Sequence, residues 1–241
     1  MNKKGFTLAE VLISLAIIGV VAAITIPALY NSSQNQTLAS KLSATVSSLE
    51  NGLSAMIIEE GANGLCGTEF ASAMTDQSPN YSKAAGVLGE YLKNGGITTP
   101  PAAYSVRNLS GTGDNTTFED QPTLTMKNGS WVIFTELSST GAPAHSEATR
   151  VENGGNLFER FAVAIIDVNG SESPNMWGRD VFSYSLGTDG ILYPTGGKDE
   201  RIFITGTFTD NDRDNIDTNC STGGTGEYCA AKLMLNGYKV D

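Results

Sequence analysis

The first forty residues divide into a short basic segment and a long apolar run. The chain begins MNKKGFTLAEVLISLAIIGVVAAITIPALY, in which Lys3 and Lys4 precede an apolar stretch from Phe6 to Ile26. About 20 apolar residues are enough for an α-helix to span a bilayer, so this pattern predicts a transmembrane helix. A secretory signal peptide has a shorter apolar core, whereas this one is long and begins directly after Gly5.

Beyond the apolar run, an apolar residue recurs every three or four positions, which is typical of one face of an α-helix. Gly61 and Gly64 then predict the end of that helix. A helix from Phe6 to about Glu60 would be roughly 80 Å long at 1.5 Å per residue. Pro27 lacks an amide hydrogen and should kink or loosen it. The stripe consists of Leu38, Leu42, Val46, Leu49, Leu53, Met56 and Ile57.

The rest of the chain reads as one short helix followed by strands. SKAAGVLGEYLKN predicts the helix, and TLTMKNGSWVIFTE predicts a hairpin that turns at Asn128–Gly129. RFAVAIIDVNG is a predicted buried strand, VFSYSLGTDGILYP a second hairpin about Asp189–Gly190, and RIFITGTFT a further strand. The pattern predicts an α+β fold in which the long N-terminal helix packs against an antiparallel sheet.

Composition and charge exclude several classes of function. The chain has 15 Lys+Arg against 26 Asp+Glu, a net charge of −11, and no basic stripe, so direct binding of nucleic acid is not expected. His145 is its one histidine, which disfavours catalytic triads and zinc sites. No G-x-S-x-G, P-loop or H-E-x-x-H pattern occurs, and we expect no enzymatic activity.

The three cysteines predict a disulfide only if the part of the chain after the apolar run is exported from the cytoplasm. In an oxidising compartment, one disulfide pair and one leftover thiol are expected. Cys220 and Cys229 bound the glycine-rich CSTGGTGEYC and are the favoured pair, while a bridge from Cys66 to either of them stays open.

Glu10 is the unusual residue of the N-terminal segment. It lies inside the apolar run, where an unpaired carboxylate costs a few kcal/mol or more. One explanation is a side chain that snorkels to the membrane boundary, because Glu10 is close to the start of the helix. A signal peptide or an ordinary membrane span does not account for it.

The segment KKGFTLAEVLISLAIIGVVAAITIPAL resembles the N-terminus of type IV pilins and type II secretion pseudopilins. In that family a basic leader ends in glycine, followed by phenylalanine and by a glutamate five residues into the mature chain. Gly5, Phe6 and Glu10 match these positions, and Pro27 matches a proline common in the family. IDVNGSESPNMWGRDVFSYSLGTDGILYPTG and the C-terminal CSTGGTGEYCAAKLMLNGYKVD also resemble pseudopilin-like heads, less specifically.

The resemblance implies a maturation pathway and a set of partners. A prepilin peptidase would cut between Gly5 and Phe6 and methylate the new amino group. Residues 1–5 would be the leader, 6–30 the membrane and assembly helix, and 31–241 the helix continuation and the α+β head. Glu10 would pair with the N-terminal amine of a neighbouring subunit, and the partners would be other pilin-like subunits, an assembly platform and the inner membrane.

Two segments are candidate calcium sites, although no cofactor is required. DNDRDNID places Asp210, Asp212, Asp214 and Asp217 close together, and calcium prefers six to eight oxygen ligands. It is not an EF-hand, and the alternative is a solvated acidic loop. In DVNGSESPN the candidate oxygen donors are Asp167, Asn169 and Asn175, which are also ordinary turn residues.

We therefore expect a structural subunit of a type IV pilus or a type II secretion pseudopilus. It would be made as a single-pass precursor in the inner membrane, with its head outside the cytoplasm. The alternative is a single-span, membrane-anchored binding protein that does not polymerise. The sequence does not distinguish a pilus from a secretion pseudopilus, or a major from a minor subunit.

Overall fold

The computed structural model describes residues 7–75, 80–92, 96–98, 104–112, 116–118, 123–135, 149–153, 156–195 and 210–239. Its elements are one long helix, several short helices and two antiparallel sheets. The α+β architecture predicted from the sequence is confirmed.

The long helix α1 runs from Leu8 to Glu59 and continues through Pro27 without interruption. It ends one residue before the predicted Glu60, which forms the C-cap. Gly61 follows with a φ of +64°, a left-handed conformation that glycine adopts without steric cost. The glycine signal for the end of the helix is therefore confirmed.

The larger sheet has seven strands among the described residues. They are β1 (Gly96–Thr98), β4 (Thr123–Thr125), β5 (Trp131–Thr135), β6 (Thr149–Asn153), β7 (Asn156–Asp167), β8 (Val181–Gly187) and β9 (Leu192–Pro194). The order is β1-β4-β5-β7-β8-β9, and β6 is also paired to β7, so the long strand β7 pairs with three others. A separate pair is formed by β2 (Ser105–Val106) and β3 (Thr116–Thr117).

Both predicted hairpins are present, and each is tied to α1. The β4–β5 turn contains Gly129, and Asn128 Nδ2 donates to Thr45 Oγ1 at 2.9 Å. The β8–β9 turn contains Gly190, and the amide of Leu192 donates to Glu50 Oε1 at 3.1 Å. These bonds fix the sheet against the second half of the helix.

The short helices lie around this unit. A 3-10 turn (Leu65–Gly67) precedes α2 (Glu69–Thr75), which the sequence did not predict. Helix α3 (Tyr81–Tyr91) matches the predicted short helix, and Asn80 Oδ1 caps it by accepting from the amide of Lys83 at 2.9 Å. Two more follow near the C-terminus, α4 (Asp210–Asn219) and α5 (Cys229–Leu235).

The main core lies between α1 and the larger sheet. Leu42, Leu49, Leu53 and Met56 of the predicted stripe are fully buried, with Val46 nearly so. Successive side chains of strand β5 point to opposite faces of the sheet, and both faces are covered. Its Val132 and Phe134 join this core, while Ile133 faces a second cluster on the other side of the sheet. That second cluster contains Tyr104, Val106, Phe118, Ile133, Ile165, Trp177 and Val181.

Two of the sequence predictions concern neighbouring segments between residues 201 and 217. The predicted strand RIFITGTFT lies outside the described residues. The acidic segment from Asp210 was considered as a calcium site, with a solvated acidic loop as the alternative; it forms the helix α4, so the loop alternative was wrong. Ile216, on the otherwise polar helix, is buried. Burial of this side chain favours the helix despite the weak helix propensity of aspartate and asparagine.

Candidate functional site

The N-terminus of α1 is closed by a capping box between Thr7 and Glu10. The Thr7 hydroxyl accepts from the amide of Glu10 at 3.2 Å, while Glu10 Oε2 accepts from the Thr7 amide and hydroxyl, each at 2.8 Å. This arrangement satisfies amide groups that the first turn of a helix leaves without partners. Glu10 therefore has a structural role within its own chain, in addition to the roles considered from the sequence.

One carboxylate oxygen of Glu10 remains available for a second contact. Both bonds from Thr7 go to Oε2, and Oε1 has no partner among residues 7–75 or the other described segments. Glu10 is exposed. The same carboxylate can thus cap its own helix and accept a bond from another molecule.

The helix that follows is apolar and uncovered. The 20 residues from Leu8 to Pro27 are long and apolar enough to cross a membrane, and none is buried in the chain. Leu8 exposes 80% of its surface, whereas Leu49 and Leu53 farther along the same helix expose none. The first part of α1 has no partner in the described head, so it is available to lipid or to other helices.

The sequence reasoning missed the role of Thr7. The signal was present, because Thr7-Leu8-Ala9-Glu10 has the S/T-x-x-E spacing of a capping box. Gly5 and Phe6, the predicted cleavage positions, lie outside the described residues. Cleavage, methylation and pairing of Glu10 with a neighbouring amine therefore stay predictions.

A cluster of buried polar groups lies in the head where β7 ends and β8 begins. Asp167 and Asp180 are fully buried. The Tyr104 hydroxyl donates to Asp167 Oδ2 at 2.5 Å, and the backbone amide of Asn169 donates to Asp167 Oδ1 at 3.1 Å. The backbone amides of Asn175 and Met176 donate to Asp180 at 3.0 and 2.7 Å. The two carboxylates thus hold the connecting loop in place.

Burial sets the protonation of this cluster. It raises the pKa of Asp167 to about 7, with the charge of Asp180 adding to the effect. Burial also raises the pKa of Asp180, although bonds from the Met176 and Asn175 amides oppose the change. A desolvated carboxylate binds its proton more tightly because the charged form loses hydration.

The structure brings together the three candidate donors of DVNGSESPN and adds residues that the sequence reasoning missed. Asn169 and Asn175 each have a side-chain oxygen that is buried and without a hydrogen-bond partner in the described structure. Tyr104 was missed because it comes from another part of the chain, and Asp180, five residues after Asn175, was missed because only the fold turns it back onto the loop. Metal binding here stays a prediction.

The aspartates of α4 are arranged differently from a metal-binding loop. Asp210 begins the helix, and Asp217 Oδ1 accepts a salt bridge from Lys232 Nζ at 2.8 Å. Asp212 and Asp214 are two residues apart and so lie on different helix faces. Within the described segments, no group of three or more His, Cys, Asp or Glu side chains is arranged to hold a metal ion. Calcium binding stays a prediction, to be measured by calorimetric titration of the intact chain.

A disulfide joins α4 to α5. Cys220 and Cys229 are bonded with a Cα–Cα distance of 4.9 Å, as predicted, and Cys66 is exposed and outside this bridge. The bridge is closely packed against the loop that contains Trp177. A Cβ at Gly178 would lie 2.3 Å from Cys229 Sγ.

Comparison with protein-family models identifies the N-terminal segment of the chain. Residues 1–26 match the family model of the prokaryotic N-terminal methylation motif. No solved structure matches the chain. The matched residues contain Gly5, Phe6 and Glu10 and most of the uncovered apolar helix. The chain therefore carries the N-terminal signal of type IV pilins and pseudopilins, followed by an apolar helix that fits a membrane-anchored precursor.

Proposed function

We propose that this protein is a structural subunit of a type IV pilus or a type II secretion pseudopilus. The observation that supports the proposal is a methylation motif joined to an uncovered apolar helix, which continues directly into the core of a folded head. Such a helix can exchange lipid for neighbouring helices without any change in the head. The subunit has no catalytic role in this proposal.

Maturation would begin in the inner membrane. Lys3 and Lys4 favour a cytoplasmic position for the leader, since basic residues next to a membrane span tend to stay on that side. Prepilin peptidase would cleave between Gly5 and Phe6 and methylate the new amine. The acidic head would then lie outside the cytoplasm, and the assembly platform would add the subunit to a filament of pilin-like chains.

Glu10 would direct the incoming subunit. A carboxylate in an apolar environment is costly until it meets an opposite charge. The free Oε1 could accept from the N-terminal amine of a neighbouring subunit's mature chain while Oε2 keeps the bonds from Thr7. Apolar contacts between helices would supply most of the association energy, and the ion pair would set the register.

The first experiment is intact-mass measurement with N-terminal sequencing of the protein recovered from its native membrane. We expect a chain that starts at methylated Phe6. A chain that still starts at Met1, in cells with active prepilin peptidase, would overturn the proposal and favour the anchored, non-polymerising protein.

A second experiment separates capping from charge pairing. Glu10→Gln keeps the geometry of a capping box, because glutamine also serves at that position, but it removes the charge. Thr7→Ala removes the hydroxyl of the cap and leaves the charge. We expect Glu10→Gln to lose filament incorporation and Thr7→Ala to retain it, with equal membrane insertion of both. The opposite ranking would show that Glu10 acts only as a helix cap.

A further inference from the structure

A pocket of about 490 Å³ lies at the end of the head closest to the apolar helix. Asn35 and Ala39 of α1 form one wall, and the Cys220–Cys229 bridge and α5 contribute to the others. Leu109, Phe182 and Leu233 give it an apolar floor, and three cationic side chains line it. These are Arg179, Lys232 and Lys239.

The pocket is at the height of a membrane surface. The span ends at Pro27, and exposed Tyr30 follows it, in the position of the tyrosines that anchor membrane helices at the interface. Asn35 is eight residues beyond Pro27, which is roughly 12 Å at 1.5 Å per residue. The headgroup layer on each side of a bilayer is about 5–8 Å thick. The pocket would therefore open just above the headgroup layer, within reach of long, flexible arginine and lysine side chains.

The C-terminal segment is fixed at this height. Gln36 Nε2 of α1 donates to the carbonyl oxygen of Tyr238 at 3.1 Å. Tyr238 has a φ of +59°, so the chain turns there before Lys239. Lys239 is thus held beside the helix and lines the pocket.

The charge of the pocket is opposite to that of the chain. The protein has a net charge of −11, yet cations line this pocket. Lys232 is paired with Asp217. The side chains of Arg179 and Lys239 are exposed, and no hydrogen bond or ion pair joins either of them to another side chain in the segments that the structure describes. Two cations without a partner among the described residues therefore line a partly apolar pocket close to the membrane surface.

We propose that this pocket binds the headgroup of an anionic phospholipid from the membrane that holds the apolar helix. The inference rests on the membrane-anchored precursor in the proposed function and does not require filament assembly. The Arg179 guanidinium suits a phosphodiester, which it can bind through two parallel hydrogen bonds, and Lys239 adds a second positive charge. The side-chain amides of Asn35 and Asn236 can bond headgroup hydroxyls.

The binding has a function before assembly. The subunit is then attached to the bilayer at two points, its apolar helix and the lipid in the pocket. This fixes the orientation of the head relative to the bilayer, so the subunit presents a fixed side to its neighbours. The attraction weakens with salt, because mobile ions screen charges near a surface. A subunit that leaves the bilayer for a filament releases the lipid.

The test uses the full-length, unassembled chain in nanodiscs that contain equal amounts of phosphatidylglycerol and phosphatidylcholine. Native mass spectrometry then identifies the lipid that remains bound. We expect the wild type to retain phosphatidylglycerol preferentially. At about fivefold per cation, the double variant Arg179→Gln/Lys239→Gln should lose about 25-fold of that preference.

The matched control is Arg107→Gln/Lys127→Gln, which removes one arginine and one lysine from exposed positions outside the pocket. The control should retain the wild-type preference, and all three proteins should unfold at similar temperatures. An unchanged preference in the pocket variant, or an equal loss in the control, overturns the proposal. A bound mass of inorganic phosphate in place of lipid also overturns it. Because the protein is unassembled, a failure to form filaments leaves this readout intact.

Discussion

The buried carboxyl group of Asp167 should make the head less stable as pH rises from acid to neutral. Its pKa is raised from 3.8 to about 7 in the folded chain by burial. The folded chain therefore binds more protons than the unfolded chain within this range, and its free energy of unfolding falls as pH increases. The two pKa values are about 3 pH units apart, which corresponds to about 4 kcal/mol. Most of that difference should develop between pH 4 and 7.

The measurement is urea unfolding of the intact chain in detergent at intervals from pH 4 to 8. Trp131 fluorescence is a suitable signal, because its ring lies 5.7 Å from that of Tyr104, which donates to Asp167. Asp167→Asn removes the titrating group. Subtracting its pH profile from that of the wild type should leave a decrease of about 4 kcal/mol. Exposed Asp214→Asn is the control and should reproduce the wild-type profile.

Tyr104→Phe provides a second test of the Asp167 titration if Asp167→Asn does not fold. The hydrogen bond from Tyr104 lowers the pKa of Asp167, so Tyr104→Phe should raise that pKa and move the stability loss to higher pH. A wild-type profile that is flat, or that rises between pH 4 and 7 relative to Asp167→Asn, would refute the account of Asp167 as a desolvated acid.

Three further predictions concern the core and the disulfide. Leu53→Ala should lower the free energy of unfolding by about 2–5 kcal/mol, because Leu53 is fully buried, while exposed Ile58→Ala should change it by less than about 0.5 kcal/mol in the same urea titration. Cys220→Ser should cost about 2–3 kcal/mol on the chain-entropy estimate, and equal stability of the two proteins under non-reducing conditions would contradict a formed bridge. Gly178→Ala should impair disulfide formation, since its Cβ would lie 2.3 Å from Cys229 Sγ at a φ of +75°. Free-thiol counting of the purified protein measures this, and a fully oxidised variant would be the contrary result.

The parts of the fold that local chemistry decides could be predicted from the sequence. The stripe of α1 is visible because a buried helix face repeats every three or four residues. The hairpins could be located because Asn128–Gly129 and Asp189–Gly190 supply turn residues between β-rich arms. The Cys220–Cys229 bridge follows from a short, glycine-rich loop between the two cysteines.

Features that depend on tertiary contacts could not be predicted in the same way. Asp167 and Asp180 are close because β7 and β8 are antiparallel neighbours that pair Asp167 with Val181. Helix α4 has a composition that disfavours helices, and it is held by Ile216 and by its junction with the disulfide. For the candidate site, the motif identified Glu10. It did not show that only one of the two carboxylate oxygens accepts from Thr7, because this depends on the conformation of the side chain.

Because the membrane span and the buried stripe belong to one continuous helix, α1 transmits a pulling force on the span to the head. A pull along its axis reaches the head as shear between the buried leucines and the sheet, and it loads those contacts together. Helix α1 is unbroken from Leu8 to Glu59. The strength of an attachment made through this subunit is therefore governed by how fast the head's core unfolds under force, rather than by its equilibrium stability.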